Sequence, residues 1–365
     1  TLGVSAVDTV IGTSGAENVT LLGAGSTAVS AVATVTGSTG TDTVTMLEAA
    51  TLAVRNVESV VGLTTTDDVV RMLAGGTVAV SNIASVMGTT GSADVLRIIG
   101  GTETVTVTDI ETVLGASGTD SVALAAAGGI AVSAVDTVIG STGGNDRVVL
   151  IGGGTTSVSA VESVIGGTGS DVVALIDAGS ISVSNVETVL GTASTTTDDV
   201  VRQLGAGTIA VSGVETVIGS STTGDVARML SEGALALSAV ETVVGTSGTD
   251  TVTMLAAGTL AASEVETLLG SAAAETVTLL GSSADVAVSQ INTVIGTTGS
   301  DSVSMLGADT TAVSNVETVL GTTDGAEVVR LVGAGIVGVS NVDTVLGGSG
   351  SDALRMLGAG DVSAS

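Results

Sequence analysis

Six aspartates stand at one place in a glycine-punctuated turn: Asp42, Asp120, Asp171, Asp250, Asp301 and Asp352, with Glu17 and Glu275 replacing them in two further copies. Carboxylates beside turn glycines suit hard-cation chemistry, because calcium takes six to eight oxygens and mixes carboxylates with turn carbonyls. Stacked copies of such a turn would bring those oxygens together, which makes the six aspartates candidate calcium ligands. The competing reading is that Asp and Gly here are ordinary turn formers. A second acidic set recurs in V-E-T-V segments, from Asp8, Glu58 and Glu111 to Glu317 and Asp343. Paired carboxylates can perform acid–base catalysis. A ladder of identical carboxylates holds no singular pair, and reads as a solvated, charge-repelling face or a diffuse cation binder.

The rest of the composition removes other chemistries. No His, Cys, Lys, Pro or aromatic residue occurs in 365 residues. Without His or Cys there is no imidazole base, no thiolate nucleophile and no zinc or haem ligand set. Without aromatics there is no platform for stacking on a sugar or a base. A formal charge of −29 opposes a nucleic-acid partner, which needs clustered cations. No 18-residue apolar run exists, so membrane insertion is not expected despite a mean hydropathy of +0.67. Neither an enzyme nor a small-molecule binder is expected.

The elements that must position the acids come from one repeat. The motif V-S-x-V-E-T-V-L-G ends at Gly12, Gly37, Gly62, Gly88, Gly115 and onward to Gly347, a spacing of about 26 residues over fourteen copies. Segments between glycines are short and rich in Val, Ile and Thr, which favours strands over helices. The expected fold is all-β: a parallel β-solenoid of about fourteen coils of ~26 residues, with three strands per coil, running as a single continuous array over residues 1–365. The chain begins and stops inside a repeat, so it is expected to be a window of a longer array. A column of Thr or Ser runs beside the V-E-T-V acids, from Thr9 and Thr34 to Thr344. It could be an internal hydroxyl ladder or, on a flat exposed face, an ice-binding surface.

A longer period marks the charges. Arg71, Arg202 and Arg330 recur at nearly equal intervals, and Arg97, Arg228 and Arg355 keep those intervals to within one residue. Glu48, Asp177 and Asp309 follow the same long spacing. Five repeats therefore form a super-repeat, expected to span five coils or about 24 Å. The arginines fall between apolar positions and should point outward. There they would meet acids of a neighbouring chain and set its stagger. Adjacent apolar pairs such as Val189-Leu190, Met254-Leu255 and Met305-Leu306 put one row in the core and the other outside, unless a bend buries both.

Two turns, Gly166-Gly167-Thr168-Gly169-Ser170-Asp171-Val172-Val173 and Gly347-Gly348-Ser349-Gly350-Ser351-Asp352-Ala353-Leu354, fit G-G-x-G-x-D-x-(apolar). Here the chain resembles the RTX, or hemolysin-type, repeats of exported bacterial proteins. The phrase V-E-T-V-x-G-T-x-G-T-D-x-V-T is similar to units of very large RTX-like adhesins and S-layer proteins. The resemblance implies a secreted protein at the bacterial surface, with calcium in its turns. The expected role is a self-assembling filament, sheath or surface layer of solenoids packed laterally and end to end on copies of themselves. Alternatives are a monomeric spacer in a giant adhesin and an ice-binding solenoid.

Overall fold

The structure is a computed structural model that describes residues 1–13, 16–64, 67–192, 198–271, 273–323, 325–358 and 363–364. Among the described residues the elements are all strands, 43 of them, and no helix is long and apolar enough to cross a membrane. The chain forms two compact units, Thr1–Asp177 and Ala178–Ser365.

Each repeat contributes three strands, which the first full copies show. A long strand, Gly25–Ser30, turns a corner into a short strand, Val32–Thr36. A glycine turn then leads to an Asp strand, Asp42–Met46, and the next long strand is Thr51–Arg55. Alternation of buried and exposed residues along these segments is the period-two signature of a strand with one face inside.

The turn of the solenoid is smaller than the repeat. Within each unit the strands pair in parallel with the second strand after them, so one turn holds two strands, the stretch of chain from Gly25 to its neighbour Asp42. In the same sheet Val29 of the long strand aligns with Met46 of the Asp strand. Val44 of that Asp strand aligns with Val60 of the short strand Ser59–Val61, and Val60 in turn with Val80 of the long strand Gly76–Ser81. The facing sheet runs through the same cycle from Val35 to Val54 to Met72. With 21 strands in the first unit and 22 in the second, each unit makes about ten or eleven turns. The expected fourteen three-stranded coils are therefore corrected to about twenty two-stranded turns, and one repeat makes a turn and a half.

The physical reason lies in the core. Two sheets lie face to face about 10 Å apart, and that slot is filled by Val19, Val35, Val44, Leu52, Leu96 and their equivalents, each 1 % exposed or less. A three-sided coil would enclose a wider space, which a chain without aromatics fills poorly. Glycine-to-glycine spacing counts repeats of sequence, whereas backbone pairing sets the turn.

This parity redistributes every column. Equivalent residues in successive repeats fall in opposite sheets, so a once-per-repeat ladder becomes two ladders of one residue per three turns, or about 14 Å. Five repeats make seven and a half turns, about 36 Å rather than 24. Within the second unit Arg202 lies on the strand Val200–Gln203 and Arg330 on the strand Val328–Leu331, in opposite sheets. The super-repeat therefore does not place equivalent arginines on one face.

Candidate functional site: carboxylate-stitched edges and bare sheet faces

The edges of the solenoid are built around one carboxylate per repeat, buried in all but the first and last, where Glu17 is half-buried and Asp352 exposed. Asp42 is fully buried. Its Oδ2 accepts from the Ser38 N–H at 2.5 Å and the Ser38 hydroxyl at 2.9 Å, and its Oδ1 accepts from the Gly25 N–H at 3.2 Å. Its own N–H donates to Glu58 Oε2 at 2.7 Å. Gly25, Asp42 and Glu58 belong to three consecutive turns on one edge, so two side chains, those of Asp42 and Glu58, fasten all three. The same triple recurs at Gly76, Asp94 and Glu111, at Gly128, Asp146 and Glu162, and at Gly233, Asp250 and Glu266. Where the acceptor of the V-E-T-V position is Asn292, its Oδ1 takes the Glu275 N–H at 2.8 Å. An amide serves there as well as a carboxylate, so this column accepts hydrogen bonds and needs no charge. Its side chains are exposed or half-buried, as a solvated acidic column requires, and they also accept backbone hydrogen bonds from the neighbouring turn.

The structure places Asp42, Asp120, Asp171, Asp250 and Asp301 in the buried set and leaves Asp352 exposed. It adds Asp68, Asp94, Asp146, Asp199, Asp225 and Glu327, which the glycine-based motif missed. The reason is variable turn length. From anchor glycine to acid the count is five at Gly37–Asp42, six at Gly62–Asp68 and eight at Gly191–Asp199. Counted back from the inward residue that ends the Asp strand, the acid is always four ahead: Asp42–Met46, Asp68–Met72, Asp199–Gln203, Glu327–Leu331. The rigid strand, not the elastic turn, carries the signal. Chemically these carboxylates are anion caps. Among the described residues no three acids converge on a common point, and N–H donors, which repel a cation, face an oxygen of each of Asp42, Asp94, Asp146 and Asp250. The second oxygen of Asp225, Glu275 and Glu327 is buried without a hydrogen-bond partner.

Hydrogen bonding also sets acidity at two of these positions. The Thr13 hydroxyl (2.6 Å) and N–H (2.9 Å) hold Glu17 down to about 2 from the ordinary 4.5. At Glu327 burial works against the charge, but the Thr322 hydroxyl and N–H outweigh it and keep the carboxyl below its ordinary value.

Anchor glycines close the other half of each edge. The corner between long and short strands is a left-handed residue such as Ala31 (φ 52°), Asn56 (φ 50°) or Ala239 (φ 53°). Its carbonyl presses onto the anchor glycine of the preceding repeat. A Cβ on Gly37 would lie 1.7 Å from Asn56 O, and one on Gly219 would lie 1.8 Å from Ala239 O. The acids of the long period serve the same corners within their own chain. Glu48 accepts from the Ala31 N–H, Asp309 from the Gln290 N–H at 2.8 Å, and Asp177 from the Ser159 hydroxyl at 2.5 Å.

No protein-family model, curated protein or solved structure matches this chain.

The sheet faces are chemically distinct from the edges. Outward strand positions carry Thr, Ser, Ala, Val, Leu and Ile, and all six super-repeat arginines are exposed there. Arg97 is flanked along the sheet by Ala79 and Leu114, Arg228 by Ala210 and Val244, and Arg330 by Ala312 and Leu346. The arginines thus lie on small and apolar neighbours. Among the described residues, outward positions of the strands in the second unit hold one carboxylate, Asp285. The Thr/Ser column also faces outward, with Thr112 beside Ala131 and Thr216 beside Ala236. The apolar pairs divide as alternation requires: Met254 is buried, and Leu255 is 50 % exposed.

Proposed function

We propose that this chain is a structural, self-assembling protein whose solenoids pack laterally on copies of themselves in an extracellular bacterial filament, sheath or surface layer. The exposed row that follows each Asp strand carries the reading: Leu22, Leu47, Ile99, Ile151, Leu204, Leu255, Leu306 and their equivalents stand out of the fold. Large exposed apolar rows rimmed by polar residues mark association surfaces. The parallel solenoid is compatible with RTX-like repeats, and the secreted, surface location rests on that resemblance. Catalysis plays no part in this reading, because the grooves at Asn56 with Gly75, Ala134 with Gly153, and Asn185 with Ala206 repeat one another. Nor does it need a cofactor, calcium included. Each turn is already closed by its own carboxylate, which also suits the alternative of a monomeric spacer in a giant adhesin.

Sedimentation of the purified chain across a hundredfold range of concentration tests the choice. It should be followed by interference optics, since the chain has no Trp or Tyr. Growth of the particles with concentration is expected. A monomer at every concentration would leave the spacer.

A further inference from the structure

The turn-and-a-half repeat gives the second unit two outer faces of the same chemistry. In one sheet the long strand Ser180–Ser184, the Asp strand Val200–Gln203 and the short strand Thr216–Ile218 follow one another. In the other sheet the long strand Thr208–Ser212, the Asp strand Val226–Met229 and the short strand Thr242–Val244 do the same. Leu204, Leu255 and Leu306 stand on the first face; Leu230, Leu280 and Val332 stand on the second, all of them exposed. Each of these residues donates its N–H to the long strand beside it, as Leu255 does to Leu237 O and Leu280 to Ala262 O, both at 2.8 Å, so the strand's alternation fixes them outward. The arginines divide equally, Arg202 and Arg355 against Arg228 and Arg330.

We infer that the faces of the second unit are docking surfaces for further copies of this chain on both sides at once, and that face-to-face stacking is therefore open-ended. Charge favours a second copy over other occupants. Two polyanions of −29 repel where their acids meet, and these acids sit at the edges or inside the fold. The faces, bearing arginines, neutral side chains and the one carboxylate Asp285, are where two such chains can approach. A contact that pairs one face with its counterpart closes a dimer only when the opposite face differs. Here each partner still presents the same pattern of leucine, threonine and arginine on its far side, so every addition leaves an equivalent surface free.

This inference rests on the self-association proposed above, and thiol protection separates the two. The chain has no cysteine, so Leu255→Cys and Leu280→Cys each supply one reporter, on opposite faces, while Ser283→Cys supplies an exposed control on an edge. Far-UV circular dichroism checks folding, and Leu306→Cys with Val332→Cys forms a second pair. Maleimide labelling is timed under reducing conditions in dilute and in concentrated samples, beside sedimentation. Slowing of tenfold or more at both faces, with the control unchanged, is the expected result. Protection of one face alone means a closed pair and overturns the inference while self-association stands. Particle growth with neither face protected overturns it too, since another surface then makes the contact. Absence of growth at any concentration removes the self-association reading itself.

Discussion

Asp250 accepts from the Thr246 N–H, the Thr246 hydroxyl and the Gly233 N–H while its own N–H is held by Glu266. Asp250→Asn puts an NH2 group among those donors, and a buried donor left unpaired costs about 1–3 kcal/mol. Urea unfolding should therefore show a loss of about 3 kcal/mol. Glu266→Gln keeps the accepting oxygen, as Asn292 does naturally, and should lose less than about 1 kcal/mol. Equal losses would refute the division of labour between the two columns. Acid should act through Glu17 and Glu327. A carboxyl held below its unfolded value contributes stability above that value and loses it as pH falls through the folded one. For Glu17 that window runs from about 4.5 down to about 2, and Glu327 acts in the same direction. The melting temperature of the wild type should fall across this window more steeply than that of Glu17→Gln, and parallel curves would contradict the assignment. The sequence showed the acids of the five-residue turns but hid those behind longer ones, because turn length varies and strand length does not.

At the scale of the element, the anchor glycine and the left-handed corner act as one joint. Gly219→Ala drives a Cβ into Ala239 O and should destabilise by about 3 kcal/mol or more, in the range of severe steric and backbone lesions. Gly258→Ala meets nothing within 4 Å and should stay within about 1 kcal/mol of wild type, so the contrast in thermal melting tests the joint itself. The strand order supplies a second test. Removing Gly245–Leu269 deletes one whole repeat, from an anchor glycine to the residue before the next. That leaves the cycle of long, Asp and short strands intact, and should preserve the β spectrum and cooperative unfolding. Removing Gly245–Ala261 deletes close to one turn of the solenoid, yet breaks the cycle and should abolish cooperative melting. The strand segments and their inward valines were legible from alternation alone. The number of strands per turn was not, since local pattern fixes which residues face the core but not which distant strand lies alongside. That choice depends on the width of slot that Val, Leu and Met can fill.

Over the whole molecule, −29 charges set the terms of association. Sodium chloride raised from about 10 mM to about 1 M shortens the Debye length from about 30 Å to about 3 Å. If neutral faces make the contact, screening removes the repulsion between edges and light scattering should rise. If Arg–carboxylate pairs made it, as the arginine period suggested, scattering should fall. Calcium at matched ionic strength should leave the melting temperature where sodium leaves it, because N–H donors already hold an oxygen of turn carboxylates such as Asp42 and Asp250, and no three acids among the described residues converge.

Parity decides what growth of such an array by copying does. A block of five repeats is odd, so each new copy arrives rotated half a turn relative to its template, and its surface markings pass to the reverse side. Arg202 and Arg330, and likewise Arg228 and Arg355, record that alternation within the second unit. A lineage that doubled four or six repeats would hold each inherited arginine to the side on which it began, Arg202 on one and Arg228 on the other. Expansion in odd blocks instead hands each marking to the two sides in turn, without any selection on the individual copies.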